Sequence, residues 1–255
     1  MSAIFALANQ KGGVAKTTTT GILAAGLHKQ GFSVLTIDCD PQGNLSMSMA
    51  ADNQSGATMY EVMKGTVTAR EAIQHTAACD IIPANTILAG IEQELHSVGK
   101  EMTLREKLRD EESGVADDYD YILIDCPPSL ELLTLNALCA ADSLLVPVQG
   151  EYYALEGLSD LMNTVRIVRR SMNPRLELEG VLLTMYDSRL NLTNQVVGEI
   201  KKYFADKVFR STVPRSVRIS EAPSYGEPIC YYDKANRGTL AYQRVAEELL
   251  ERNRK

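Results

Sequence analysis

Three short stretches of this sequence carry side chains suited to phosphate chemistry. The first is Asn9-Gln10-Lys11-Gly12-Gly13-Val14-Ala15-Lys16-Thr17-Thr18. Gly12 and Gly13 allow backbone N–H groups to turn inward around an anion, and a helix starting beside Lys16 would aim its positive end at the same point. Lys16 can reach the outer phosphates of a nucleotide, and the Thr17 hydroxyl can ligate Mg²⁺. The strict glycine–lysine phosphate-loop pattern is not met, because Gln10 and Ala15 occupy its two glycine positions. A plain glycine turn is the competing reading; the apolar run before it and the Lys-Thr junction favour the phosphate loop. The second stretch is Ile37-Asp38-Cys39-Asp40-Pro41-Gln42-Gly43-Asn44. Strand alternation puts Asp38 and Asp40 on one side, within reach of a metal and a terminal phosphate, although the same residues are also good turn formers. The third is an apolar strand ending at Asp125, followed by Cys126-Pro127-Pro128. A carboxylate there can hold the hydration shell of Mg²⁺, and the prolines stiffen the loop.

These loops need a scaffold that brings them together. Apolar runs at 3–8, 33–38, 79–84, 119–125, 143–148 and 178–186 read as strands buried on both faces. Helical patterns lie between or after them at 17–30, 85–97, 101–111, 129–139, 154–171, 191–204 and 238–252. Such alternation predicts an α/β fold: a single doubly wound, mostly parallel sheet with helices on both faces, spanning 1–255 as one domain. Ligands in that architecture bind beyond the carboxyl ends of the strands, where the three loops emerge.

Composition narrows the function. The 255 residues are 45% hydrophobic and 23% charged, values of a globular chain, with a net charge of -7. No run is long and apolar enough to span a membrane, and no secretory signal is evident. Five cysteines without a CxxC pair predict reduced thiols in a cytoplasm. Charge is uneven: residues 1–161 hold 9 basic and 22 acidic side chains, whereas 162–220 hold 11 basic and 5 acidic. That basic block is where a polyanion would bind.

The segment KGGVAKTTT resembles the deviant Walker A motif KGGxGKTT of the ParA/MinD family of P-loop ATPases. The resemblance runs along essentially the whole chain and is closest to chromosomal partition ATPases of the ParA/Soj type. Beyond the loops it includes VPVQGEYYALEGL, LLTMYDSRLNLTNQV and TVPRSVRISEAPSYGEPI. It implies an ATPase with ATP and Mg²⁺ as cofactors, residues 11–18 cradling the phosphates, and Lys11 reaching across a nucleotide-sandwich homodimer. By the same resemblance Asp40 orients the attacking water, Asp38 supports Mg²⁺ through water, and Thr184, Met185, Pro214 and Arg215 lie near the adenine. Arg189 and Arg218 would contact DNA, with Lys201 and Lys202 in support. Implied partners are non-specific double-stranded DNA and a ParB/Spo0J-type protein, acting at the nucleoid. The departure from pattern is Ala15, where glycine is usual, and dimer affinity is the property it bears on. No helix-turn-helix segment precedes the phosphate loop, so sequence-specific DNA reading is not expected. A MinD-like membrane regulator is the alternative, but GTLAYQRVAEELLERNRK lacks a clear apolar face for a bilayer. A metabolic phosphoryl-transfer enzyme would need a substrate pocket that no motif supplies. Cys39 and Cys126 could bridge an iron–sulfur cluster as in some relatives, but read as small core residues.

Overall fold

The computed structural model describes residues 3–95 and 98–253. Its seven strands are β1 (Ala3–Leu7), β2 (Val34–Asp38), β3 (Gln74–His75), β4 (Asp80–Ile82), β5 (Tyr121–Asp125), β6 (Ser143–Gln149) and β7 (Glu177–Thr184). They form one sheet in the order β3-β4-β2-β5-β1-β6-β7, parallel except for the β3–β4 pair. The helices are α1 (Lys16–Lys29), α2 (Asn44–Ser48), α3 (Met59–Lys64), α4 (Ile91–Glu94), α5 (Thr103–Arg109) and α6 (Leu132–Ala140). They continue as α7 (Ala154–Ser171), α8 (Asn191–Phe204), α9 (Val217–Glu221), α10 (Ile229–Tyr232) and α11 (Arg237–Asn253).

The unbroken apolar runs are explained by burial on both faces. Along β1, Ile4 and Ala6 join the core beneath α5 to α8, while Phe5 and Leu7 join the core beneath α1 and α11. Ile122 and Ile124 against Leu123 repeat this split on β5, as do Leu144 and Val146 against Leu145 on β6. A fully buried side chain such as Leu7 is worth about 2–5 kcal/mol against alanine. On α7, Leu158, Leu161, Val165 and Val168 recur at helical spacing and are buried, which seats that helix on the sheet.

Register is what assembles the site. Asp125 lies opposite Leu7 on one side and Asp38 on the other, so β1, β2 and β5 end level. The loops that follow them therefore leave the same edge side by side. The outer edge of β7 is covered by the segment 208–214: Phe209 N–H donates to the Val181 carbonyl and Val213 N–H to the Leu183 carbonyl, each at 2.9 Å. Gly180 permits this approach, since a Cβ there would lie 2.6 Å from the Lys207 carbonyl oxygen.

Some expected elements differ. The pattern over 85–97 folds as a 3₁₀ turn, Thr86–Gly90, capped by Asn85, followed by the single-turn α4; residues 96–97 lie outside the described residues. The last strand stops at Thr184, two residues early, because Met185 takes φ +48, incompatible with extended pairing. β3, α2, α3, α9 and α10 were not anticipated.

Candidate functional site

The loop from Asn9 to Ala15 connects β1 to α1. The Asn9 side chain fixes its entry, donating to the Pro147 carbonyl at 2.8 Å and accepting from Lys11 N–H at 3.0 Å. Gly13 (φ +75) and Ala15 (φ +66) both adopt the left-handed region that turns N–H groups inward. Ala15 gives α1 no side-chain cap, and no acidic residue occupies the first turn. The amino-terminal amides and their dipole thus remain open to an anion. Lys16 is buried, its ammonium donating to the Lys11 carbonyl at 3.2 Å. Burial lowers its pKa, opposed by the nearby carboxylates of Asp125 and Asp40.

Asp125 is wholly buried at the end of β5. Its Oδ1 accepts from Thr20 Oγ1 at 3.2 Å. Its Oδ2 is the one buried side-chain oxygen or nitrogen without a partner among the described residues. Burial, and next the charge of Asp38, push its pKa well up. A buried carboxyl with an orphaned oxygen beside a threonine hydroxyl is a donor set that fits a hydrated Mg²⁺. Asp38 differs. It accepts from Ser46 N–H at 2.9 Å, from Ser46 Oγ at 2.7 Å and from Asp40 N–H at 3.1 Å. Its pKa is pushed up to about 6, chiefly by burial. Asp38 therefore anchors the loop and α2 in this structure, while Asp40, whose carboxylate accepts from Gln42 N–H at 2.9 Å, faces the cleft.

That cleft has a volume of about 710 Å³, within the range of small-molecule sites. Gly12, Gly13, Ala15, Lys16, Thr17 and Thr18 line it with Asp40, as do Met185, Pro214, Arg215, Ile219 and Tyr242. Of the four residues expected near the base, Met185, Pro214 and Arg215 line the cleft. Thr184 also borders the cleft, but its hydroxyl donates to the Val14 carbonyl at 3.0 Å, so it braces the phosphate loop. Cys39 and Cys126 are both buried, with thiol pKa values raised by that burial.

The expected DNA residues are split. Arg189 follows β7, is 87% exposed, and forms a two-pronged pair with Asp187 at 2.9 and 2.7 Å. Arg218 lies on α9 beside Ile219, a cleft-lining residue, and pairs with Glu221 at 3.0 Å. Both thus sit at the nucleotide end of the molecule. Lys201 and Lys202 stand at the far end of α8, about 15 Å along its axis. Lys201 lines a mixed-charge groove at the amino-terminal ends of the strands.

The sequence matches the AAA domain family AAA_31 over residues 2–178. It is 48% identical to the sporulation initiation inhibitor protein Soj of Bacillus subtilis over 98% of each chain. It is 46% identical to the chromosome partitioning protein ParA of Caulobacter vibrioides, covering 98% of this chain and 95% of that one. The chain belongs to the ParA/Soj family of partitioning ATPases. Among solved structures, it resembles cobyrinic acid a,c-diamide synthase from Mycobacterium smegmatis with a bound ATP analogue and magnesium. The TM-score is 0.86 at 35% identity, with 98% of this chain and 95% of that chain covered.

Within this ParA/Soj chain, the structure reveals site residues that motif reading missed. The Lys11 ammonium is paired with the Glu151 carboxylate of its own chain. Tyr242 of α11 meets Thr19 of α1 through their hydroxyls at 2.9 Å, tying the C-terminal helix to the phosphate-loop helix. Glu151 lies inside the run VPVQGEYYALEGL but has no motif spacing of its own to flag it.

Proposed function

We propose that this chain is an ATP-driven DNA-partition switch that hydrolyses ATP with Mg²⁺. The observation that carries the reading is the convergence of Lys16, Thr17, Asp40 and the orphaned Asp125 oxygen below an uncapped helix. Arg218 rides on the element that walls the same cleft.

Residues 11–18 bind the phosphates through backbone N–H groups, Lys16 and the amino terminus of α1. Thr17 and Asp125 would hold Mg²⁺, with Asp38 acting through water, and the ion would supply charge neutralisation at the phosphates. Asp40 orients the water that attacks the γ-phosphorus. The bond to the bridging oxygen breaks, and ADP, phosphate and a proton leave. Lys11 exchanges Glu151 for the nucleotide of a second copy, closing a homodimer over two ATP molecules. Arg189 and Arg218 of both copies then bind double-stranded DNA without sequence preference, holding the protein at the nucleoid. A ParB/Spo0J-type partner accelerates a slow hydrolysis and releases the DNA. The membrane-docking alternative lacks support, because α11 spends Tyr242, Val245, Ala246 and Leu249 on the core beneath α1.

An ATPase assay with DNA, liposomes or a ParB-type protein added tests this reading. Stimulation by DNA and partner, with none by liposomes, is expected; stimulation by liposomes alone would overturn it.

A further inference from the structure

A strained residue persists only where its surroundings hold it. Ala15 lies in the left-handed region at φ +66, close to Gly13 at φ +75, and unlike glycine it carries a Cβ that this region disfavours. One movement would relieve it. Turning the Val14–Ala15 peptide plane over leaves both Cα atoms in place, yet carries φ of Ala15 into the negative range that L-residues prefer. The same rotation would exchange the directions of the Val14 carbonyl and the Ala15 N–H, which point oppositely in a trans peptide. A hydrogen bond opposes it. The Val14 carbonyl accepts from Thr184 Oγ1 at 3.0 Å, and Thr184 and the Val14 side chain are both buried. With the carbonyl turned to the end of β7, the Ala15 N–H faces away from it. Ala15 lines the cleft, and no hydrogen bond among the described residues takes up its N–H.

We propose that Thr184 is a positioning residue for phosphate binding: its hydroxyl holds the Val14–Ala15 peptide so that the strained Ala15 keeps its N–H open to an anion. The inference rests on the phosphate-loop reading above and names what keeps that loop competent with alanine at this position. Glycine would adopt φ +66 without strain and would need no such hold. The other tether, from Asn9 to the Pro147 carbonyl, acts at the entry of the loop and does not touch this peptide. A loop competent for only a fraction of the time binds its ligand more weakly by that fraction. Thr184 thus sets nucleotide affinity through Val14 and Ala15, without itself meeting the phosphates.

Fluorescent-ATP titration of the near-isosteric Thr184→Val chain tests the proposal. Affinity should fall roughly 10-fold with the loss of one buried hydrogen bond. Pyrophosphate, which engages the loop alone and is read by competition, should lose the same factor. Thr184→Ser keeps the hydroxyl and should bind within about threefold of the parent. The decisive arm repeats Thr184→Val in an Ala15→Gly chain. With no strain to release, its penalty should shrink to about threefold or less, whereas a merely structural loss would cost the same in both backgrounds. Equal penalties, or a serine variant as weak as the valine one, would overturn the proposal. So would a changed ratio of ATP to GTP affinity, which would give Thr184 to the base. Thr184→Ala supplies the same cycle should valine prevent folding. Lys16→Ala separates the two claims. If it binds ATP normally, the phosphate-loop reading fails; if it loses ATP while Thr184→Val keeps it, only the role of Thr184 fails.

Discussion

Ala15→Gly examines the phosphate loop at the one position where this chain departs from the family pattern. Ala15 is held at φ 66 and ψ 36, left-handed geometry that costs an L-residue with a Cβ about 1–2 kcal/mol relative to glycine. Glycine recovers that strain but loses about 0.4–1 kcal/mol through its greater freedom in the unfolded chain. The difference leaves the variant more stable by about 0.5–1 kcal/mol. For a domain of this size that raises the thermal midpoint by about 1–4 °C. The bound loop keeps the same backbone, so ATP affinity of the monomer should stay within about threefold. Urea unfolding of the nucleotide-free protein, alongside a thermal scan, measures the first effect, and titration with a fluorescent ATP the second. A variant that unfolds at lower urea than the parent would refute the assignment of strain to Ala15.

Lys16→Ala should weaken ATP binding roughly 100-fold or more, since several charge-assisted bonds at about 1.5–3 kcal/mol each are lost; calorimetric titration reads it directly. Asp40→Ala should still bind ATP, dimerise and hold DNA, while hydrolysis with DNA and partner falls by about 100-fold or more; phosphate release measures this. Reversing Arg189 or Arg218 to glutamate should spare ATP binding and dimerisation yet lower the log-affinity versus log-salt slope for DNA by about 2, one phosphate contact per copy. Asp187→Asn should do the opposite to affinity, because the two-pronged pair in this structure competes with DNA for Arg189.

The central strands were legible because each is buried on both faces, and runs such as Ile4-Phe5-Ala6-Leu7 can be little else. Their carboxyl-end loops followed from topology. Short helices were not legible, because one or two turns leave too little periodicity to read. One of them did carry a local signal: Thr58 and Glu61 form a reciprocal capping box at the start of α3, a Thr-x-x-Glu spacing visible in the sequence. β3 pairs through only two residues, too few to alternate. In the site, Lys16, Thr17 and Asp125 were readable from residue type after a strand. The division of labour between Asp38 and Asp125 was not, since it depends on Ser46 reaching back across eight residues. Nor could spacing show that α8 carries Lys201 and Lys202 away from Arg189, or that Thr184 braces Val14.

In the proposed cycle ATP, through Lys16, Asp125 and a closed pair of chains, switches on DNA binding by Arg189 and Arg218. Fluorescence anisotropy of a labelled random-sequence duplex, with no nucleotide, with ADP and with ATP, tests it most directly. Binding with ATP and Mg²⁺ alone, lost on adding a ParB-type protein in the parent but retained in Asp40→Ala, is the predicted result. Equal DNA affinity in all three nucleotide states would contradict it.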